Sequence, residues 1–352
     1  MTGSLNAAEA RSIAERWVAE EVARFPGEVL CVFTHGSINW MADDDPFPPS
    51  SDLDLVVVVP AVDPARHHPC KRPYGGIAVE VFYAPQAWFL SADTILADFR
   101  LAPNLVSGKV LFDPQRSMEE LRRVVAPEFA RRHWLRLRCR SVRDQALPVI
   151  AAFERSDNLP YLNAVTCLAV RAMAQMVLLA DLRNPTVKKA PIKSRDILVA
   201  YDMADEHRRL LDLFGAAELA DASILGAASH CGQALDQACR WLRTPFTGDN
   251  CVTVYSRPSL DIDVPACVTA GMGREIFLWV GTLYAHAMIA LENDAPAAVL
   301  MAARQSYLGD MASIGAATPA EARTQLLACR PALERMVDLC DDIVARNACA
   351  IA

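Results

Sequence analysis

The sequence predicts an α+β fold, with a small mixed sheet first and a larger all-helical region after it. Two observations carry this. All but one of the β-rich runs lie between Val29 and Phe112, and beyond Met118 the composition turns to Ala, Leu, Arg and Glu. At roughly 150 residues per domain, a chain of 352 residues fits about two domains.

The elements follow in order. Residues 7–25 place Ala8, Ile13, Ala14, Trp17, Val18, Val22 and Phe25 near helical spacing, with Glu and Arg between them. That is an amphipathic opening helix, and Pro26-Gly27 is expected to end it. Three β-rich runs come next: residues 29–34, residues 53–59 closed by Pro60, and residues 77–83 entered through Gly75-Gly76 and left through Pro85. Residues 87–101 read as helix and 109–112 as a short strand, after which Asp113-Pro114 breaks the chain. A boundary near 115–130 divides the chain into 1–120 and 121–352. In the second region residues 164–182 form an apolar helix, and only 251–255, near Asp261-Ile262-Asp263, is strongly β-like. No repeat with a period of 20–50 residues is visible.

Composition narrows the function classes. Hydrophobic residues at 53% and charged residues at 22% exclude a disordered or collagen-like chain. A formal net charge of −7 offers no global field for duplex nucleic acid, so nucleic-acid partners are disfavoured. Eleven cysteines without a Cys-x-x-Cys pair fit neither a disulfide framework nor a zinc ribbon. Glu9, Arg11, Glu15, Arg16, Glu20 and Glu21 interrupt any secretory apolar core, so the expected compartment is the reducing cytoplasm. The longest uncharged stretch, 276–291, has 16 residues and falls short of the roughly 20 that cross a bilayer, so it reads as a buried helix and no membrane partner is expected.

The chemistry concentrates in three places. His35-Gly36-Ser37 follows the first strand, where a glycine lets the backbone approach an oxygen-rich ligand and a serine hydroxyl can meet phosphate. In Asp52-Leu53-Asp54-Leu55 the strand period of two puts both carboxylates on one face and the leucines on the other. Two neighbouring carboxylates repel unless a cation lies between them, and Mg²⁺ suits such oxygen ligands. Glu80 sits within the apolar strand 77–83, and the alternative to a site role is an exposed strand residue beside Lys71 or Arg72. If that strand pairs beside Asp52 and Asp54, the three acids form a triad able to hold two metal ions for in-line displacement at phosphorus.

Phe33-Thr34-His35-Gly36-Ser37, Ser51-Asp52-Leu53-Asp54-Leu55 and Val79-Glu80-Val81 together resemble the nucleotidyltransferases of the DNA polymerase β superfamily. Lys109-Val110-Leu111-Phe112-Asp113-Pro114 looks like the segment closing the catalytic domain in bacterial small-molecule, antibiotic-type members. The resemblance covers about residues 28–115. It implies a nucleotidyltransferase domain over 1–120 and a helical substrate-binding domain over 121–352. The chain departs from the pattern in a longer interval between Ser37 and Asp52, and in lacking a glycine shortly beyond Gly-Ser.

The function this implies is Mg²⁺-dependent transfer of a nucleoside monophosphate from an NTP, such as ATP, to a hydroxyl of a small molecule, with release of pyrophosphate. Asp52, Asp54 and Glu80 would be the catalytic and metal residues, holding two Mg²⁺ ions. Gly36 and Ser37 would steady the phosphates, with Lys189 and Lys193 as further nucleotide contacts in the basic run Lys188, Lys189, Lys193 and Arg195. The alternative is a catalytically silent nucleotide-binding sensor or regulatory protein of the same fold. Arg132, Arg136, Arg140 and Arg143 share a helix face, read either as a triphosphate or acceptor contact or as a solvated or interdomain face. His35 reads as a packing residue or a local hydrogen-bond partner rather than a catalytic base, the run 43–45 as a solvated loop, Asp261-Ile262-Asp263 as structural, and Gly271-Met272-Gly273 as carrying almost no weight. The acceptor, the choice of NTP and the oligomeric state are not legible.

Overall fold

The computed structural model describes residues 5–24, 28–64, 66, 67 and 70–352. The expected helix stop at Pro26-Gly27 lies outside them. The described residues up to Arg138, together with Ala348–Ala352, form one compact unit, and Cys139–Asn347 form a second.

In the first unit α1 (Ala7–Arg24) leads to β1 (Cys31–His35), a 3-10 turn (Gly36–Trp40) and β2 (Asp52–Val59). Then come β3 (Cys70–Tyr74), β4 (Ile77–Pro85), α2 (Ala92–Ala97), α3 (Leu101–Ser107), β5 (Val110–Phe112) and α4 (Ser117–Glu128). The sheet has five strands in the order β3-β4-β2-β1-β5. Only β2 and β4 run parallel.

Strand alternation divides the core into two. Val32, Leu53, Leu55, Val57, Val79 and Val81 pack with Ala7, Ala10, Ala14 and Val18 of α1. Cys31, Phe33, Val56, Val58 and Ala84 face Ile95, Leu96, Ala102, Leu105, Met118 and Val125 from α2 to α4. The long interval between Ser37 and Asp52 folds back onto α1. Arg11 pairs with Asp43 at 2.5 Å, the Ala7 amide donates to the Asp45 carbonyl, and Phe47 is buried. The run 43–45 is therefore exposed but anchored.

Three local readings are corrected. β3 was not anticipated, because Pro73 disguises it; proline is tolerated there because β3 is an edge strand. The helical stretch 87–101 is broken into a 3-10 turn (Gln86–Phe89), α2 and the start of α3, since Ser91 caps α2 and the Asp98 carboxylate accepts the Arg100 and Leu101 amides at 2.8 Å. Residues 251–255 form no strand. They run from the end of one 3-10 turn (Asp249–Cys251) through a bend at Val252-Thr253 into another (Val254–Ser256), in a helical unit that offers no partner strand.

Asp113 accepts the amides of Ser117, Met118 and Glu119 and so caps α4. Because Met118 and Val125 belong to the sheet core, α4 stays with the first unit. The two units divide within α5 (Arg132–Phe153), at Arg138/Cys139, whereas the sequence-based boundary at 120/121 falls inside α4. The C-terminal tail rejoins the first unit, with the Arg132 amide donating to the Ile351 carbonyl and the Ile351 amide donating to Ala130.

The second unit is helical: α6 (Leu159–Ala180), α7 (Ala190–Ala200), α8 (Ala204–Leu213), α9 (Asp221–Trp241), α10 (Val264–Thr269), α11 (Gly273–Asp294), α12 (Ala297–Ala312) and α13 (Pro319–Arg346). α6 is long and apolar enough to cross a membrane by composition, but nearly all of it is buried within the protein, as is most of α11. Asp261-Ile262-Asp263 falls in a single π turn (Ser259–Asp263), where Asp261 holds Arg257 and Asp263 holds Lys188.

Candidate active site

The alternation that buries Leu53 and Leu55 under α1 turns Asp52 and Asp54 to the opposite face of β2. Parallel pairing sets Asp54 directly beside Glu80 of β4, and Asp52 beside Ala78. The sheet thereby gathers Asp52, Asp54 and Glu80 with carboxylate oxygens all within 4.8 Å of one another.

Two features shape this cluster. The first is Gly36, which has a φ of +74° and lies so close to Asp54 that a Cβ on it would sit 2.2 Å from Asp54 Oδ2. Glycine is therefore required twice, for the backbone conformation and for the approach of the carboxylate. The Gly36 amide points to Asn104 Oδ1 of α3 at 3.5 Å. Behind the turn, the Thr34 hydroxyl donates to Asn39 Oδ1 at 2.6 Å and accepts the Lys109 amide at 2.8 Å, tying the turn to β1 and β5.

The second feature is Lys71. β3 pairs with β4 so that Lys71 lies opposite Glu80. Its ammonium bridges Asp52 Oδ2 and Glu80 Oε2, the latter at 2.9 Å. Sequence reasoning missed this role, since the strand that carries Lys71 was itself unrecognised.

The electrostatics separate the two aspartates. Burial pushes Asp52 up, but the charge and hydrogen bond of Lys71 outweigh it and hold Asp52 below the ordinary carboxylate value. Asp54 is driven well above that value by burial and by the charges of Asp52 and Glu80. Lys71 is desolvated, yet the two carboxylates raise it above an ordinary lysine and keep it charged. Burial pulls His35 down to about 4 against the opposing pull of Asp52, so the imidazole is neutral near pH 7. Its buried Nδ1 has no hydrogen-bond partner among the described residues.

Three hard oxygen donors crowded this closely need positive charge, and two of them already grip a cation in the form of Lys71. The residues present fit a divalent metal ion. Ser37 lies half-buried in the 3-10 turn beside Gly36.

Lys189 and Lys193 belong to the second unit. Lys189 precedes α7 and stands 4.0 Å from Asp263, while Lys193 on α7 is exposed. The arginine run is largely engaged in structure. Arg138 is fully buried over the Phe129 ring, Arg140 pairs with Asp341 at 2.8 Å, and Arg143 pairs with Asp144 and Glu334.

The sequence matches no family model and no curated protein. Among solved structures it is similar to a nucleotidyltransferase-like protein from Exiguobacterium sibiricum 255-15, with 12% identity over 86% of this chain and 89% of that one, at a TM-score of 0.29.

Proposed function

We propose that this protein is a metal-dependent nucleotidyltransferase that moves a nucleoside monophosphate from an NTP to a hydroxyl of a small molecule and releases pyrophosphate. The observation that carries the reading is the convergence of Asp52, Asp54 and Glu80 at one sheet position, with Gly36 pressed against Asp54. A bound divalent ion such as Mg²⁺ would neutralise phosphate charge and lower the pKa of the attacking hydroxyl.

The chain's own groups do the rest. Asp52 and Asp54 would hold that ion, and the Gly36 amide and Ser37 hydroxyl would orient the phosphates. The acceptor oxygen bonds to the α-phosphorus as the bridging P–O bond breaks, pyrophosphate leaves with the electron pair, and Glu80 accepts the hydroxyl proton. A phosphate role for Lys193 is tested by Lys193→Ala, which should raise the apparent KM for NTP more than that for the acceptor.

The experiment is a screen of the four NTPs with Mg²⁺ against a panel of aminoglycosides, lincosamides and other polyols, read by pyrophosphate release. Acceptor-dependent release that Asp54→Asn abolishes is the expected result. The bridge made by Lys71 favours a second reading, a non-catalytic nucleotide sensor, because an ammonium stands where an ion could bind. Saturable NTP binding without release across the whole panel would decide for the sensor.

A further inference from the structure

We propose that Lys71 takes the place of a second metal ion, so that the carboxylate cluster holds one divalent ion, between Asp52 and Asp54. The inference rests on the nucleotidyltransferase reading and replaces its expected pair of ions with one ion and one ammonium.

The geometry distributes the oxygens in two sets. Lys71 Nζ is bound to Asp52 Oδ2 and Glu80 Oε2, the bridging position that an ion on the Glu80 side would need. Among the described residues, by contrast, no hydrogen bond or ion pair holds the Asp54 carboxylate, which rests against Gly36. The Asp52 carboxylate is hydrogen-bonded to Glu80 as well as to Lys71, so the oxygens of Asp54, beside Asp52, are the ones left to a hard cation.

Lys71 is not a loosely attached surface side chain. The pairing Lys71↔Glu80 fixes its Cα directly across from Glu80, and its side chain is only 12% exposed. A divalent ion entering between Asp52 and Glu80 would compete for the same lone pairs and meet a like charge at contact distance. Expelling the ammonium would strip a largely buried cation of both its partners. Charge supports the same count. Lys71 cancels one of the three negative charges, and a single divalent ion balances the two that remain. Lys71 thus acts as a positioning residue, bridging Glu80 and Asp52 and supplying positive charge on the side where Glu80 would meet the acceptor.

The test is titration of the full chain with Mn²⁺ alone, with bound ions counted from the loss of the free-ion signal in electron paramagnetic resonance. The wild type should bind one Mn²⁺ per chain with a magnetically isolated spectrum, and Asp54→Asn should lose it. Lys71→Met should double the stoichiometry and show a spin-coupled pair. Two ions on the wild type, retention of the ion by Asp54→Asn, or a single ion on a folded Lys71→Met would each overturn the inference and leave nucleotidyl transfer standing. No Mn²⁺ on either wild type or Lys71→Met would overturn the metal-dependent reading itself. The wild-type count needs no variant to fold.

Discussion

Replacing Gly36 by alanine tests the architecture of the site with a single methyl group. The new Cβ would lie 2.2 Å from Asp54 Oδ2 and 3.2 Å from Asp54 Cγ. The carboxylate must then retreat by about 1 Å to reach an ordinary contact. The same residue has φ +74°, a conformation that costs an L-residue roughly 1–2 kcal/mol. Two separable effects follow. Urea unfolding should show a loss of roughly 1–2 kcal/mol from the backbone, plus whatever the clash adds. Mn²⁺ affinity should fall by roughly 10–100-fold, the usual consequence of disturbing a group that orients a metal ligand. A double-mutant cycle separates them: in an Asp54→Ala background the clash partner is gone, so Gly36→Ala should cost only the backbone share, and the two substitutions should be non-additive. Gly36→Ala with unchanged Mn²⁺ affinity, or strict additivity with Asp54→Ala, would refute the claim that Gly36 is there to admit Asp54.

Further expectations concern charge and hydrogen bonding. Asp54→Asn should reduce the chemical step by at least about 10²-fold while leaving the metal-free thermal midpoint unchanged or raised, because it removes like-charge crowding. Since Asp54 is raised in the fold above its ordinary 3.8, the native state binds the extra proton, so wild-type stability should fall as pH rises through the window above 3.8, and Asp54→Asn should flatten that slope. Thr34→Val removes the partner of the Lys109 amide and of Asn39 and should cost about 1–3 kcal/mol in urea unfolding. In the helical unit Glu275 is buried and contacts Arg195 and His207, each at 3.1 Å. Burial pushes it up, but His207, backbone hydrogen bonding and Arg195 hold it below its ordinary 4.5. Its stabilising share is present above pH 4.5 and lost as pH falls through the lower folded value; acid titrations of Glu275→Gln, followed by circular dichroism, should lack that step.

The division between sequence and tertiary structure is clearest at the three acids. That Asp52 and Asp54 share a face, and that Leu53 and Leu55 take the other, follows from the two-residue period of a strand alone. The order sheet-then-helices was likewise legible, because apolar periodicity and turn residues are local signals. The meeting of Glu80 with Asp54 was only an expectation conditional on two strands being neighbours. Their parallel register, Asp54↔Glu80, is a long-range choice made by packing α1 on one face and α2 to α4 on the other. The sequence offers Lys71 only as a possible neighbour, with Arg72, of an exposed Glu80, and its bridging place in the site depends on the same long-range choice. A lysine in a short stretch between Pro69 and Pro73 looks like loop, and it becomes part of the site only when β3 adds to the sheet edge and sets it across from Glu80. The apparent strand at 251–255 failed in the opposite direction, since β propensity without a partner strand yields to local turns. The sequence by itself thus determined which chemical groups are present and which face of its own element each occupies. Only the tertiary structure decided which of them meet, because pairing and register depend on contacts between residues far apart in the chain.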